Sequence, residues 1–239
     1  MDKKLHLGIK SQPDDTTCGP TCLHAVYTYF GDKISLDKVI GQVKQLKGGG
    51  TLAVLLGCHA LRRGYRAKLY TFNLQVFDPT WFAPGAPAIE ERLTIQMKVK
   101  SNPKVRTASK AYLDFLRLGG RICFEDLTSS LIRGLLKRSI PILTGLSATF
   151  LYRTARETAL GKKLVYDDIQ GEPTGHFVVL CGYNMQDRTV LVADPLLPNP
   201  ISASPIYTVR LNRLICAIML GILTYDANLL IITPKKKPG

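Results

Sequence analysis

Four residues have types and neighbours suited to nucleophilic chemistry at a carbonyl: Gln12, Cys18, His176 and Asp194. A thiol nucleophile needs a positive local field, a base for its proton and donors for the oxyanion it creates. Cys18 lies in T-C-G-P-T, two residues before Pro20, where an apolar helical pattern begins. A helix N-terminus presents unsatisfied N–H groups and about half a positive charge, which favour a thiolate. Gly19 is expected to leave room for a substrate to approach the sulfur. His176 opens the stretch G-H-F-V-V-L-C-G-Y, which reads as a strand, and Asp194 closes the next one, in V-A-D-P. If the strands 177–180 and 189–193 form a hairpin in which 180 faces 190, then His176 faces Asp194. Asp194 would then orient the imidazole. Gln12 stands six residues before Cys18, and its amide can fold back towards an oxyanion beside the Cys18 backbone N–H.

Each residue also has an ordinary structural reading. Cys18 could be a buried thiol at a capped helix, His176 a strand-end histidine on a backbone carbonyl, and Asp194-Pro195 a turn initiator. The order Gln–Cys–His–Asp, with a helix after Cys and a hairpin joining His to Asp, favours chemistry.

The elements that must hold these residues follow from periodicity. Leu23, Val26, Tyr27 and Phe30 form one helical face, ended by Gly31. Ser35 caps a second helix through Leu36, Val39, Ile40 and Val43, stopped at Gly48–Gly50. A third helix follows Thr51 and stops at Gly64, and 66–72 alternates like a strand. Residues 73–110, broken by Asp78-Pro79, Pro84-Gly85 and Asn102-Pro103, read as a long connection with one element near 90–99. A helix is expected over 112–118, another through Leu131 and Leu135, and a buried strand over 141–146. Residues 147–172 read as a second irregular insertion. Short strands at 207–209 and 229–232 flank an apolar helix. Helices dominate the first half and strands the second, which predicts an α+β domain. Its helical lobe spans about 10–140 and its antiparallel sheet lobe about 141–234.

Composition narrows the function classes. Hydrophobic content of 46% and charged content of 21% over 239 residues describe a globular chain able to bury a core. The net charge of +14 favours anionic partners, but the Lys and Arg are scattered, apart from a run at Lys235, Lys236 and Lys237. Without an aromatic-interleaved basic motif, nucleic acid is not the expected partner. The longest apolar run, 214–225, is shorter than the ~20 residues a bilayer requires and reads as a buried helix. The opening M-D-K-K-L-H-L-G-I-K-S-Q has no apolar stretch behind its lysines, so a cytoplasmic protein without a secretory signal is expected.

Cys22, Cys58, Cys123, Cys181 and Cys216 are therefore expected as reduced, buried thiols. Cys18, Cys22 and His24 lack zinc spacing. Cys58 and His59, adjacent on a helix, point about 100° apart and make a poor dyad. Gly48–Gly50 has no following G-K-[ST], and Asp167-Asp168 reads as a surface turn. No cofactor or metal is expected.

The segments Q-P-D-D-T-T-C-G-P-T-C-L, P-I-L-T-G-L, G-H-F-V-V-L-C-G-Y and V-A-D-P resemble the bacteriocin-processing, double-glycine-leader family of papain-like cysteine peptidases. The resemblance covers about 8–72 and 126–195. D-P-T-W-F and T-G-L-S-A-T-F-L-Y-R are more similar to a stand-alone bacterial branch of that superfamily, often encoded beside ATP-grasp ligases. It implies a papain-like fold, with Cys18 as nucleophile, His176 as base, Asp194 as orienter and Gln12 in the oxyanion hole. It further implies a peptide or amide substrate, such as an ATP-grasp ligase product, cleaved through a thioester. An acyl or aminoacyl transferase and a non-catalytic peptide-binding domain are the alternatives. The family usually has Asp directly before the Cys; here that position is Thr17.

Overall fold

The helix that carries Cys18 starts two residues earlier than its apolar spacing predicts. In the computed structural model, which describes residues 2–46, 48–160 and 163–235, α1 spans Cys18–Tyr29. Pro20 falls inside the first turn, where its missing N–H breaks no helical hydrogen bond. The Thr17 carbonyl accepts from the Thr21 backbone at 3.0 Å and from the Thr21 hydroxyl at 2.8 Å. Residues Gly19 to Tyr27 are all buried, so α1 runs through the core and reaches solvent only at its ends. Gly31, at φ +80°, ends it in a conformation glycine tolerates.

The next helices are α2 (Leu36–Gln42), with Ser35 accepting from the Lys38 N–H, and α3 (Ala53–Arg62). α2 stops well short of the glycine run. The segment read as a long connection is instead a 3₁₀ turn (Pro79–Phe82) and two helices, α4 (Ile89–Val99) and α5 (Pro103–Arg117). Asn102-Pro103 is a helix start, not a break. Asn102 Oδ1 accepts from Lys104 N at 2.9 Å, and Pro103 occupies the first turn, where a missing N–H costs nothing. Then come α6 (Ser129–Lys137), capped by Thr128, α7 (Ala148–Tyr152) and α8 (Leu211–Leu220).

The strands are β1 (Lys3–Lys4), β2 (Tyr65–Thr71), β3 (Arg121–Cys123), β4 (Ile142–Ser147), β5 (Glu157–Leu160), β6 (Lys163–Tyr166), β7 (Gly175–Asn184), β8 (Thr189–Ala193), β9 (Ile206–Arg210) and β10 (Asn228–Pro234). The main sheet runs β3-β2-β10-β4-β7-β8-β9, with β1 on β7. Its pairs are antiparallel except β2 with β3, so the sheet is mixed rather than wholly antiparallel. It also draws β2 and β3 from the helix-rich half. Every residue of β4 is buried, as is β7 from His176 to Tyr183. Helices cover both faces there, which explains why both strands read as continuous apolar runs.

Three further expectations change. Residues 147–172 are not irregular but hold α7 and the separate hairpin β5-β6. The β7-β8 register differs: Leu180 faces Val192 and Val179 faces Ala193, with an irregularity between Leu180 and Gly182. The apolar run 214–225 is only half buried. Leu214, Ala217 and Ile218 face the core, while Met219, Leu220 and Leu223 are exposed. Cys216 shares that exposed side and Cys123 is half-buried, whereas Cys22, Cys58 and Cys181 are buried; all six thiols are free. Of the terminal lysine run, Lys236 and Lys237 lie outside the described residues. Among the described residues, no helix is long and apolar enough to cross a membrane.

Candidate active site

The fold brings Cys18, His176 and Asp194 together. Cys18 is the first residue of α1 and is half-buried. His176, second in β7, is 6% exposed, and Asp194, just past β8, is 0% exposed. His176 Nε2 donates to Asp194 Oδ1 at 2.8 Å, which leaves Nδ1 for the other neighbour of the ring, the Cys18 thiol. Burial alone would pull the imidazole pKa down. The hydrogen bonds to Asp194 and Cys18 and their charges outweigh it and raise the value to about 10.

The observed register puts Asp194 two residues away from the position expected opposite His176. A slip of two preserves the face of a strand, because side chains alternate with period two. Asp194 therefore still lies on the His176 side. Its own backbone completes the placement: Asp194 N donates to the Pro205 carbonyl at 2.8 Å, and Leu196 N donates to Asp194 Oδ1 at 2.9 Å.

Asp194 receives two further hydrogen bonds on Oδ2, from Tyr152 at 2.7 Å and Tyr207 at 2.6 Å. Burial pushes this carboxyl's pKa up, but the bonds from His176, Tyr207 and Tyr152 win and hold it below its ordinary value. Both tyrosines have raised pKa values, through burial first and then the Asp194 charge, so they remain donors. Neither was singled out in the sequence. Tyr152 stands in the T-G-L-S-A-T-F-L-Y-R segment, but nothing in either tyrosine's local pattern marks a carboxylate partner.

Gln12 lies in the loop before α1. Its backbone N–H donates to the Pro195 carbonyl at 2.9 Å, which ties the loop to the chain just after Asp194. Gln12 Nε2 donates one hydrogen to the Asp14 carbonyl at 3.0 Å. Gln12 makes no cap on α1, whose N-cap residue Thr17 also accepts no side-chain cap bond. Asp14 is held below its ordinary pKa by bonds from the Thr16 hydroxyl and N–H, and so organises the loop.

Gly19 has a different reason from the one its sequence suggests. A Cβ there would meet Thr51 Cγ2 at 2.7 Å and the Phe177 ring at 3.2 Å. The missing side chain lets α1 pack closely and does not open a path to the sulfur. Cys22 donates to the Phe177 carbonyl at 3.2 Å, and His59 lies between Tyr27 at 2.8 Å and Gln42 at 3.1 Å. Both are satisfied structural groups.

Asp226 is a buried carboxyl that the sequence did not mark. It accepts from the Thr224 hydroxyl at 2.7 Å and fills space left by Gly145 and Gly175. Burial raises its pKa from 3.8 to about 7. A raised folded-state pKa means that the folded protein binds the extra proton. This contribution to stability is therefore full below pH 3.8 and is lost as pH rises through about 7. Asp226→Asn should remove that loss. Denaturant titrations at pH 5 and pH 8 should show a smaller pH difference for the variant; an unchanged difference would contradict the assignment.

A cavity of about 370 Å³ opens beside His176, with Gln12, Tyr152, Gly175 and Leu196 in its wall. No protein-family model and no curated protein sequence matches the chain. Solved structures do. A protein described as a C39-like peptidase from Bacillus anthracis aligns over 98% of this chain and 99% of its own, at 15% identity and a TM-score of 0.51. The peptidase domain of Streptococcus ComA, a bifunctional ABC transporter, aligns over 96% of this chain and 100% of its own, at 15% identity and a TM-score of 0.44. A double-glycine-motif protease from a PCAT transporter, solved with its leader peptide, aligns over 98% and 95%, at 13% identity and a TM-score of 0.46. The fold assignment rests on the first of these. The chain has the α+β fold of the papain-like, C39-like peptidases.

Proposed function

We propose that the chain is a thiol-dependent hydrolase that cleaves a peptide or amide bond through a thioester on Cys18. The observation that carries this reading is the buried His176–Asp194 hydrogen bond with Cys18 beside the same ring. The Cys18 thiolate attacks the carbonyl carbon. The protonated imidazole gives its proton to the departing amine, and the thioester remains. Neutral His176 then takes a proton from water, hydroxide attacks the thioester, and Cys18 is released. Asp194 fixes the ring through Nε2, so Nδ1 does the proton work. The chain acts as one domain, with Cys18 at the start of α1 brought to His176 at the start of β7. Incubation with a mixed peptide library, read by mass spectrometry, tests the reading: new amine and carboxyl ends should appear and vanish after Cys18 alkylation. Cleavage that persists with Cys18 fully alkylated would overturn it.

Gln12 is the proposed side-chain donor to the oxyanion. One Nε2 hydrogen is held by Asp14, and the second is free to serve beside the Cys18 N–H. Loss of one such donor costs about 10²–10³ in kcat. Gln12→Ala should show that loss with little change in KM, while its Cys18 still reacts with iodoacetamide, which forms no oxyanion. A variant that melts earlier but turns over normally would make Gln12 a structural residue.

A further inference from the structure

The cavity beside His176 has an acidic wall in a basic protein. The chain carries 32 Lys+Arg against 18 Asp+Glu, yet the carboxylates of Asp15 and Glu157 line this space. Among the described residues, no Lys or Arg lines the cavity; its cation is the imidazolium of His176, whose charge also acts on Glu157, and neither carboxylate forms an ion pair. Arg156, next to Glu157 in sequence, turns its guanidinium to the carbonyls of Asp168 and Ile169 instead. Burial and the charge of Asp15 both raise the Glu157 pKa, so the two acids stand close enough to repel. Gln12, a residue of the same wall, has a buried Oε1 with no hydrogen-bond partner among the described residues. Leu164, Tyr166 and Leu196 supply apolar wall between these acceptors. An aliphatic stem with a cationic head matches that mixture.

We propose that this cavity binds a lysine or arginine side chain of the substrate, on the amine side of the bond that Cys18 attacks. The inference rests on the function proposed above. The side follows from the proton path: the departing amine takes its proton from His176, so it must lie against that imidazole, and His176 is in this cavity's wall. The β5-β6 hairpin supplies Glu157 and Leu164, which makes the insertion a specificity element.

Charge-selective thiol reagents test this without knowledge of the natural substrate. Cationic 2-(trimethylammonium)ethyl methanethiosulfonate and anionic 2-sulfonatoethyl methanethiosulfonate each react with a thiolate to give a disulfide and methanesulfinate. Rates at Cys18 are read by peptide mass spectrometry, with exposed Cys216 in the same molecule as reference. The cation-to-anion rate ratio at Cys18 should exceed that at Cys216 by about tenfold, despite the net positive charge. Asp15→Asn and Glu157→Gln should each lower the Cys18 ratio severalfold, and Glu157→Lys should lower it further. Asp37→Asn, on the exposed start of α2, should leave it as it is. Equal ratios at Cys18 and Cys216 in the wild-type protein overturn the proposal, as does a Cys18 ratio insensitive to both conservative changes. A Cys18 inert to both reagents overturns the nucleophile itself; a reactive but charge-blind Cys18 overturns only the cation subsite.

Discussion

Cys18→Ala is expected to leave no measurable turnover and an intact fold. Cys18 is the thiol whose hydrogen bond and charge act on the His176 ring. Removing a nucleophile from a unit that acts together costs about as much as removing the whole unit, on the order of 10⁶ in kcat. The structural cost is small by comparison. Cys18 is half-buried at the first position of α1, where alanine is a good helix residue. The variant should therefore keep the wild-type circular dichroism spectrum and melt close to the wild-type temperature. Full-length substrate should accumulate against it. Wild-type rates from a folded Cys18→Ala protein would end the mechanism.

The second large effect is expected at Asp194. Asp194→Asn keeps the shape of the side chain but removes the charge that, with its hydrogen bond, holds His176 protonated. The imidazole then loses its chief support, and burial pulls its pKa back from about 10 towards or below 6.5. The ring can also take the wrong tautomer, since an amide N–H cannot accept from Nε2; in a comparable triad this substitution costs about 10⁴ in kcat. The pH profile distinguishes this account from simple unfolding. Wild-type activity that needs the protonated ring should persist until pH approaches about 10, and the alkaline limb of the variant should move to lower pH. Stability should follow the same sign. The raised His176 pKa contributes stability that is full below pH 6.5 and is lost as pH rises through about 10. The variant should lack that alkaline loss. A variant with reduced activity but an unmoved alkaline limb would mean that Asp194 does not set the His176 proton.

The same pair shows how far the sequence reached. The strand that begins at His176 and the strand that ends at Asp194 were legible because each is a short apolar run bounded by turn residues. Their exact pairing was not. The irregularity at Cys181 shifts the ladder, and only the packed sheet decides where an extra residue goes. His176 and Asp194 are not directly opposite as expected, but the offset is two residues, so both side chains share one face.

Local pattern by itself determined the helix behind Cys18, the Ser35 cap, the buried strand at Pro141 to Leu146 and the α+β class, since each depends on periodicity or on one capping contact. It also singled out Cys18, His176 and Asp194, which the fold brings together. Tertiary structure decided what depends on distant neighbours. Tyr152 from α7 and Tyr207 from β9 meet on Asp194, 42 and 13 residues away. Gly19 is glycine because Thr51 and Phe177 crowd it. Asp226 is buried against Gly175, and the hairpin in 147–172 brings Glu157 to the His176 cavity. None of these has a local signature, because a hydroxyl, a carboxylate or a missing side chain gains its role only from what the rest of the chain packs against it.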